Sequence, residues 1–124
     1  MKKMLLVEDN EMNREMLLHR LERKGFDVDV AKNGQEALDH LNVDNKPDII
    51  LMDMSMPVLD GWEATAKIKS DNDFKLIPII GLSANALESD RARAVEVGCD
   101  EYITKPIDLD DLVSKIISIS NLAA

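Results

Sequence analysis

The sequence predicts an α/β fold: a doubly wound sheet of five parallel strands, with five helices distributed over both faces. Three observations lead there. Short apolar runs alternate with amphipathic stretches five times along the chain, the pattern of a parallel sheet covered by helices. One run, "FDVDVA", alternates apolar and polar residues and so belongs at a half-exposed edge, whereas "DIILMD" reads as buried on both faces. Four of the five runs end on a polar or charged residue. In open sheets of this kind, ligands bind beyond the carboxyl ends of the strands.

The elements follow in order. "MLLV" (4–7) is the first strand. "NEMNREMLLHRLERKG" is a helix, with Asn10 as N-cap and Gly25 at its end. "FDVDVA" (26–31) is the edge strand, and "GQEALDHL" a short helix with Ala37, Leu38 and Leu41 on one side. "DIILMD" is the third strand. "DGWEATAKIKS" is a helix carrying Trp62, Thr65 and Ile68 at helical spacing. "IPIIGLS" (77–83) is the fourth strand, and "LESDRARAVEVG" a weaker, charged helix ended by Gly98. "EYITK" (101–105) is the fifth strand. In "DLDDLVSKIISIS", Asp108 is the N-cap, and Leu109, Leu112, Val113, Ile116 and Ile117 form an apolar stripe.

The bulk properties narrow the function. At 124 residues the chain suits one domain, 1–124. A net charge of −9 and a pI near 4.6 argue against nucleic acid and membrane surfaces as partners, because both need clustered Lys and Arg. A basic partner, or a cation held by acids, fits better. The single cysteine, Cys99, excludes an intrachain disulfide and suits a reducing compartment; it reads as a small apolar residue at a turn. No apolar run approaches the roughly 20 residues of a membrane span. The N-terminal apolar stretch of about four is too short for a signal peptide. A cytoplasmic location is expected.

The strand ends carry the chemistry. They deliver Glu8 and Asp9, then Asp53, Ser83 and Lys105 to one edge of the sheet. Any one of these is an ordinary solvated turn residue; four strand ends together form a site. Three carboxylates crowded together repel one another and resist full ionisation. Hard oxygen ligands of this kind invite Mg²⁺, which takes one or two carboxylates and keeps several waters. Such a metal accepts phosphate oxygens, Lys105 and the Ser83 hydroxyl can hold others, and Asp53 is placed as a nucleophile that forms an aspartyl phosphate.

These residues resemble the response-regulator receiver domain of two-component signalling. The matching stretches are "LLVEDN", "IILMDMSMPVLDG", "IIGLSA" and "YITKP", in that family's order and spacing from Lys2 to about Ser120. The resemblance implies a flavodoxin-like strand order of 2-1-3-4-5. It implies that Asp53 accepts a phosphoryl group from a phosphohistidine on a histidine kinase or histidine phosphotransfer protein. Asp9 then holds Mg²⁺ directly, Glu8 holds it through water, and Asp53 and the Ser55 backbone carbonyl contribute ligands. Mn²⁺ or Ca²⁺ is able to substitute. Lys105 contacts the phosphoryl group, aimed inward by a cis bond to Pro106. Ser83 and Tyr102 form the switch: as Ser83 moves toward the phosphoryl group, Tyr102 swings in behind it. Met56, Pro57 and Gly61 match the loop after the acceptor, and Ser55 and Asn85 occupy positions that tune hydrolysis. Glu8 stands where Asp is also common, and Ser83 where Thr is. The module turns over no external metabolite and catalyses only its own phosphorylation and dephosphorylation. No effector domain is expected after the last helix, so the output is expected on the face made by the fourth helix, fifth strand and fifth helix, to a downstream protein or a phosphorylated homodimer. The N-terminal Met favours a stand-alone regulator over an excised domain.

Other readings fit less well. A magnesium-dependent phosphatase of the haloacid-dehalogenase type needs a second Asp two residues past its nucleophile, where this chain has Ser55. A flavin carrier needs a phosphate loop after the first strand, where "EDNEMN" is acidic. A phosphate-independent scaffold has no use for the acids and lysine together. His19 and His40 lack metal-ligand spacing and read as solvated. The methionines read as core packing, and Trp62 as partly packed and partly exposed.

Overall fold

The structure, a computed structural model, describes residues 3–55, 58–84 and 88–120. Met56, Pro57 and Asn85 lie outside the described residues. Ten elements alternate: β1 (Lys3–Val7), α1 (Glu11–Arg23), β2 (Asp27–Ala31), α2 (Gly34–His40), β3 (Ile49–Asp53), α3 (Gly61–Lys69), β4 (Ile79–Ser83), α4 (Glu88–Val97), β5 (Glu101–Thr104) and α5 (Leu109–Ser120).

The five strands form one sheet in the order β2-β1-β3-β4-β5, and every pairing is parallel. This is the flavodoxin-like arrangement, with the half-polar β2 at an edge as its alternation requires. All residues of β3 and β4 are buried, which follows from their position at the centre with helices on both sides. Alternate residues feed two cores. Leu5, Val7, Ile50, Met52 and Ile79 pack with Ala37, Trp62, Ala64 and Ile68 of α2 and α3 and with Ala94 of α4. Met4, Leu6, Ile49, Leu51, Ile80 and Leu82 pack with Leu17 and Leu21 of α1 and Leu112 and Ile116 of α5. Each fully buried Leu or Ile contributes about 2 kcal/mol, so the central strands form a rigid frame.

The helix boundaries have local causes. The side chains of Asn10, Asn33 and Asp60 accept hydrogen bonds from the main-chain N–H groups of Asn13, Glu36 and Glu63 at 2.8–2.9 Å, and Asp108 does so from Asp111 at 3.2 Å. These caps satisfy orphan donors. Gly25 and Gly98 follow α1 and α4 with φ of 96° and 104°, the left-handed geometry that ends helices and favours glycine.

Some expectations need correction. Trp62 is buried, at 8% exposure, because it lies beneath α4 as well as against the sheet side. Ile117 is 50% exposed; α5 buries Leu112 and Ile116, and position 117 is turned about 100° from 116. Met12 and Met16 on α1 are exposed, so the core reading holds for Met4, Met52 and Met54 but not for these two. β4 starts at Ile79 rather than residue 77, since Pro78 has no N–H for the ladder, although its carbonyl accepts from the Ile50 N–H at 2.9 Å.

The chain after β3 turns back tightly. Gly61 N–H donates to the Met54 carbonyl at 3.1 Å, and a Cβ at Gly61 would collide with the main chain of Asp53 and Met54. Gly34 abuts the Leu59 carbonyl in the same way. Because backbone cannot swing aside as a side chain can, Gly61→Ala should destabilise the protein by about 3 kcal/mol. Urea unfolding at equilibrium measures this, and a loss under about 1 kcal/mol would show that the loop relaxes.

Candidate functional site

Parallel register places four strand ends flush. Val7 pairs with Met52, Asp53 with Leu82, and Ser83 with Thr104. The next residues along β1 and β5 are therefore Glu8 and Lys105, beside Asp53. One carboxylate oxygen from each of Glu8, Asp9 and Asp53 lies within 4.8 Å of the others. Glu8 and Asp53 are buried, at 1% and 3% exposure, whereas Asp9 is exposed. Lys105 Nζ stands 3.1 Å from Glu8 Oε1 and 3.3 Å from Asp53 Oδ2. The Lys105–Pro106 bond is cis, and Lys105 N–H donates to the Ser83 carbonyl at 2.6 Å.

The backbone completes the cradle. Ser55 N–H donates to Asp53 Oδ1 at 3.1 Å, and Asn10 N–H to Glu8 Oε2 at 3.2 Å. Glu8 N–H is anchored to the Ala31 carbonyl at 3.0 Å. Ser83 is buried at the end of β4. The exposed acid and the two buried ones together present hard oxygen donors, the ligand chemistry that suits Mg²⁺.

Charge is unevenly shared within the cluster. Burial, reinforced by the hydrogen bond to Glu8 and by Glu8's charge, pushes the Asp53 carboxyl up to about 7, against the pull of Ser55 N–H and Lys105. Glu8 is held below its ordinary value: burial raises it, but hydrogen bonds from Asp53, Asn10 and Lys105 outweigh that. Lys105 is raised, since contacts with Glu8 and Asp53 outweigh its own burial. Of the two buried acids, Asp53 is thus the one that takes up a proton more readily as pH falls toward neutrality.

An aromatic pair lies between α3, β5 and α4. Tyr102 of β5 stacks on Trp62 at 6.3 Å between ring centroids. The Arg91 guanidinium sits 5.4 Å from the Tyr102 ring centre and that of Arg93 4.4 Å from Trp62. The Tyr102 ring is already buried, at 7% exposure. The inward swing expected from the sequence thus has no outward starting point here. Sequence reasoning passed over Arg14, Arg91 and Arg93. Arg14 carried one signal, a cation in the first turn of a helix, where the helix dipole disfavours it.

The family described as "Response regulator receiver domain" matches residues 4–117. The polar-differentiation response regulator DivK of Brucella anthropi is 38% identical over 117 residues, 94% of each chain. A hybrid signal transduction histidine kinase of Dictyostelium discoideum is 43% identical over 111 residues, which are 85% of this chain and 6% of that protein. The receiver domain of a sensor histidine kinase from Pseudomonas aeruginosa, with a magnesium ion coordinated in its active site cleft, superposes with a TM-score of 0.88 at 33% identity, over 97% of this chain and 98% of that one.

The proton on Asp53 has a thermodynamic consequence. The folded state gains a proton as pH falls through about 7, whereas the unfolded chain waits until about 3.9. Metal-free stability should therefore rise on acidification from pH 8 to 5.5, by up to about 2 kcal/mol. Glu8 acts oppositely, since its lowered value gives stability that is lost only below its ordinary value of 4.5. Asp53→Asn should be more stable than wild type at pH 8 and should lose most of the slope. Urea melts in chelator at the two pH values read this; an unchanged slope in the variant would overturn the assignment of the proton.

Proposed function

The chain belongs to the response regulator receiver domain family, and from that premise we propose that Asp53 accepts a phosphoryl group from a phosphohistidine, with Glu8, Asp9, Asp53 and the Ser55 carbonyl holding Mg²⁺. The donor is a histidine kinase or a histidine phosphotransfer protein. The observation that carries this reading is one buried carboxylate, Asp53, fixed through both its oxygens by Ser55 N–H and Lys105 Nζ.

In the transfer, an Asp53 oxygen attacks phosphorus, the P–N bond to the donor imidazole breaks, and the imidazole leaves with the electron pair and takes a proton. When bound, the metal neutralises the acids and draws in phosphoryl oxygens. This chain's own residues do the positioning. Ser55 N–H orients Asp53, and Lys105 Nζ exchanges its Asp53 contact for a phosphoryl oxygen while keeping Glu8. The Ser83 hydroxyl takes a further oxygen. The donor protein approaches along α1, where a groove of about 510 Å³ opens beside Lys105, lined by Met16, Leu17, Ile107 and Leu109. The exposed Met16 and Met12 then have a role as adaptable contacts.

Two observations support an output through α4, β5 and α5. Ala94 is the one buried residue of α4, so that helix is weakly held. Tyr102 connects it to the sheet through Arg91. Since Tyr102 starts buried, the switch is a repacking of Ser83, Tyr102 and Arg91. A downstream protein or a second phosphorylated copy docks on the face that results.

Acetyl phosphate with Mg²⁺ should label Asp53 alone, read by mass spectrometry after trapping. Labelling of Asp9, or undiminished labelling of Asp53→Asn, would sink the acceptor assignment. Beryllofluoride should shift the amide resonances of residues 88–115 as well as those around Asp53. Shifts confined to the acid cluster would refute the output route.

A further inference from the structure

Arg14 is a buried cation with no carboxylate beside it. It stands in the first turn of α1 at 7% exposure, and among the described residues no acid lies within ion-pair distance of it. Its Nη1 donates instead to the Glu8 carbonyl at 3.0 Å and to the Asp9 carbonyl at 3.4 Å. Two effects oppose this placement: a buried charge loses hydration, and the amino end of a helix repels a cation. Packing does not demand it either. The buried residues of α1 are Arg14, Leu17 and Leu21, one stripe at helical spacing that an apolar residue at 14 would continue.

What the arginine reaches explains its presence. Glu8 and Asp9 supply two of the three carboxylates in the acid cluster. Helical side chains lean toward the amino end, so Arg14 folds back over the turn between β1 and α1. Glu8 is held from several sides, by Ala31, Asn10 and Lys105. Asp9 is exposed, and Arg14 is the side chain that reaches its carbonyl. We infer that Arg14 is a positioning residue for Mg²⁺ binding: it pins the main chain of the acid pair so that both carboxylates face Asp53. This rests on the proposed reading that the cluster holds Mg²⁺. Partners that orient metal ligands are typically worth 10–100-fold in affinity.

Position and charge make opposite predictions, which makes the inference sharp. Removing a cation near an acid cluster tightens a divalent cation if charge alone matters; it weakens one if the acids lose their alignment. The test is calorimetric titration of the full chain with Mg²⁺ at about pH 7.5. Arg14→Met, which suits the buried stripe, should bind Mg²⁺ about tenfold or more weakly than wild type. Arg14→Lys keeps the charge but not the planar fork and should fall between them. In an Asp9→Asn background the Arg14→Lys effect should shrink below about twofold, as coupled residues require. Mg²⁺ affinity unchanged or tighter in Arg14→Met overturns the inference, even if thermal stability falls, since that result describes a packing role. Where Arg14→Met does not fold, Arg14→Lys decides alone, and affinity equal to wild type overturns it. A wild type that binds no Mg²⁺ fails the proposed function itself and removes the inference with it.

Discussion

Glu8 and Asp53 lie almost fully out of solvent, with a single ammonium group, that of Lys105, within 3.3 Å of each. Two carboxylates and one ammonium leave a net negative charge in a place where water screens poorly, before the exposed Asp9 is counted. A cluster of this kind is complete only when something positive joins it. Burial and the neighbouring Glu8 accordingly raise Asp53 to about 7, while Glu8 is lowered. The deficit is a property of the folded state alone, because the unfolded chain keeps its acids apart and hydrated. The raised Asp53 carboxyl therefore opposes folding at pH above about 7, while Glu8 and Lys105 favour it, and the rest of the molecule has to overcome the Asp53 cost.

The sheet does so, and it also sets the geometry. β3 and β4 are buried along their whole length, and the two cores on either side lock their alternation. A slip of one residue would send every side chain to the opposite face, so register is strongly specified. Flush strand ends are the direct result, and the acids and lysine meet because of it. The close approach of Gly61 to the Asp53 and Met54 backbone carries the same constraint into the loop. Val58 in that loop has φ of 70°, a conformation that costs a β-branched residue of order 1–3 kcal/mol. Rigid strands thus hold a strained loop and a repelling cluster together.

Much of this was legible in the sequence, and the particular residues say why. Alternation in "FDVDVA" marked β2 as the edge, and the caps at Asn10 and Asp108 announced their helices, because these signals are local. The strand-end acids and Lys105 could be read because a parallel sheet converts sequence position into spatial position by a simple rule. Trp62, Met12 and Met16 were misjudged, since burial of a helical residue depends on which neighbour covers it. Arg14 went unnoticed for the same reason. Its role lies in a contact with the main chain five and six residues back, and a main-chain carbonyl leaves no mark in a sequence.

The fourth helix completes the argument from the opposite direction. Where α1 and α5 are fastened by Leu17, Leu21, Leu112 and Ile116, α4 buries Ala94 and leans on two cation–π contacts, Arg91 over Tyr102 and Arg93 over Trp62. Such contacts are worth about 0.5–1 kcal/mol each at exposed sites, close to thermal energy. Both aromatic partners lie near the acid cluster in the chain. Trp62 follows Gly61, whose N–H is tied to Met54 next to Asp53, and Tyr102 is three residues before Lys105. A rearrangement at Asp53 that moves either ring by a fraction of an ångström changes the contact that holds α4, yet leaves the central strands untouched. The hold on that helix, Ala94 and the half-buried Val97 on the core with the contacts of Arg91 and Arg93, is weaker than that on the central strands. In the proposed switch, the conformational response would be directed to α4 by the difference in how firmly the elements are packed.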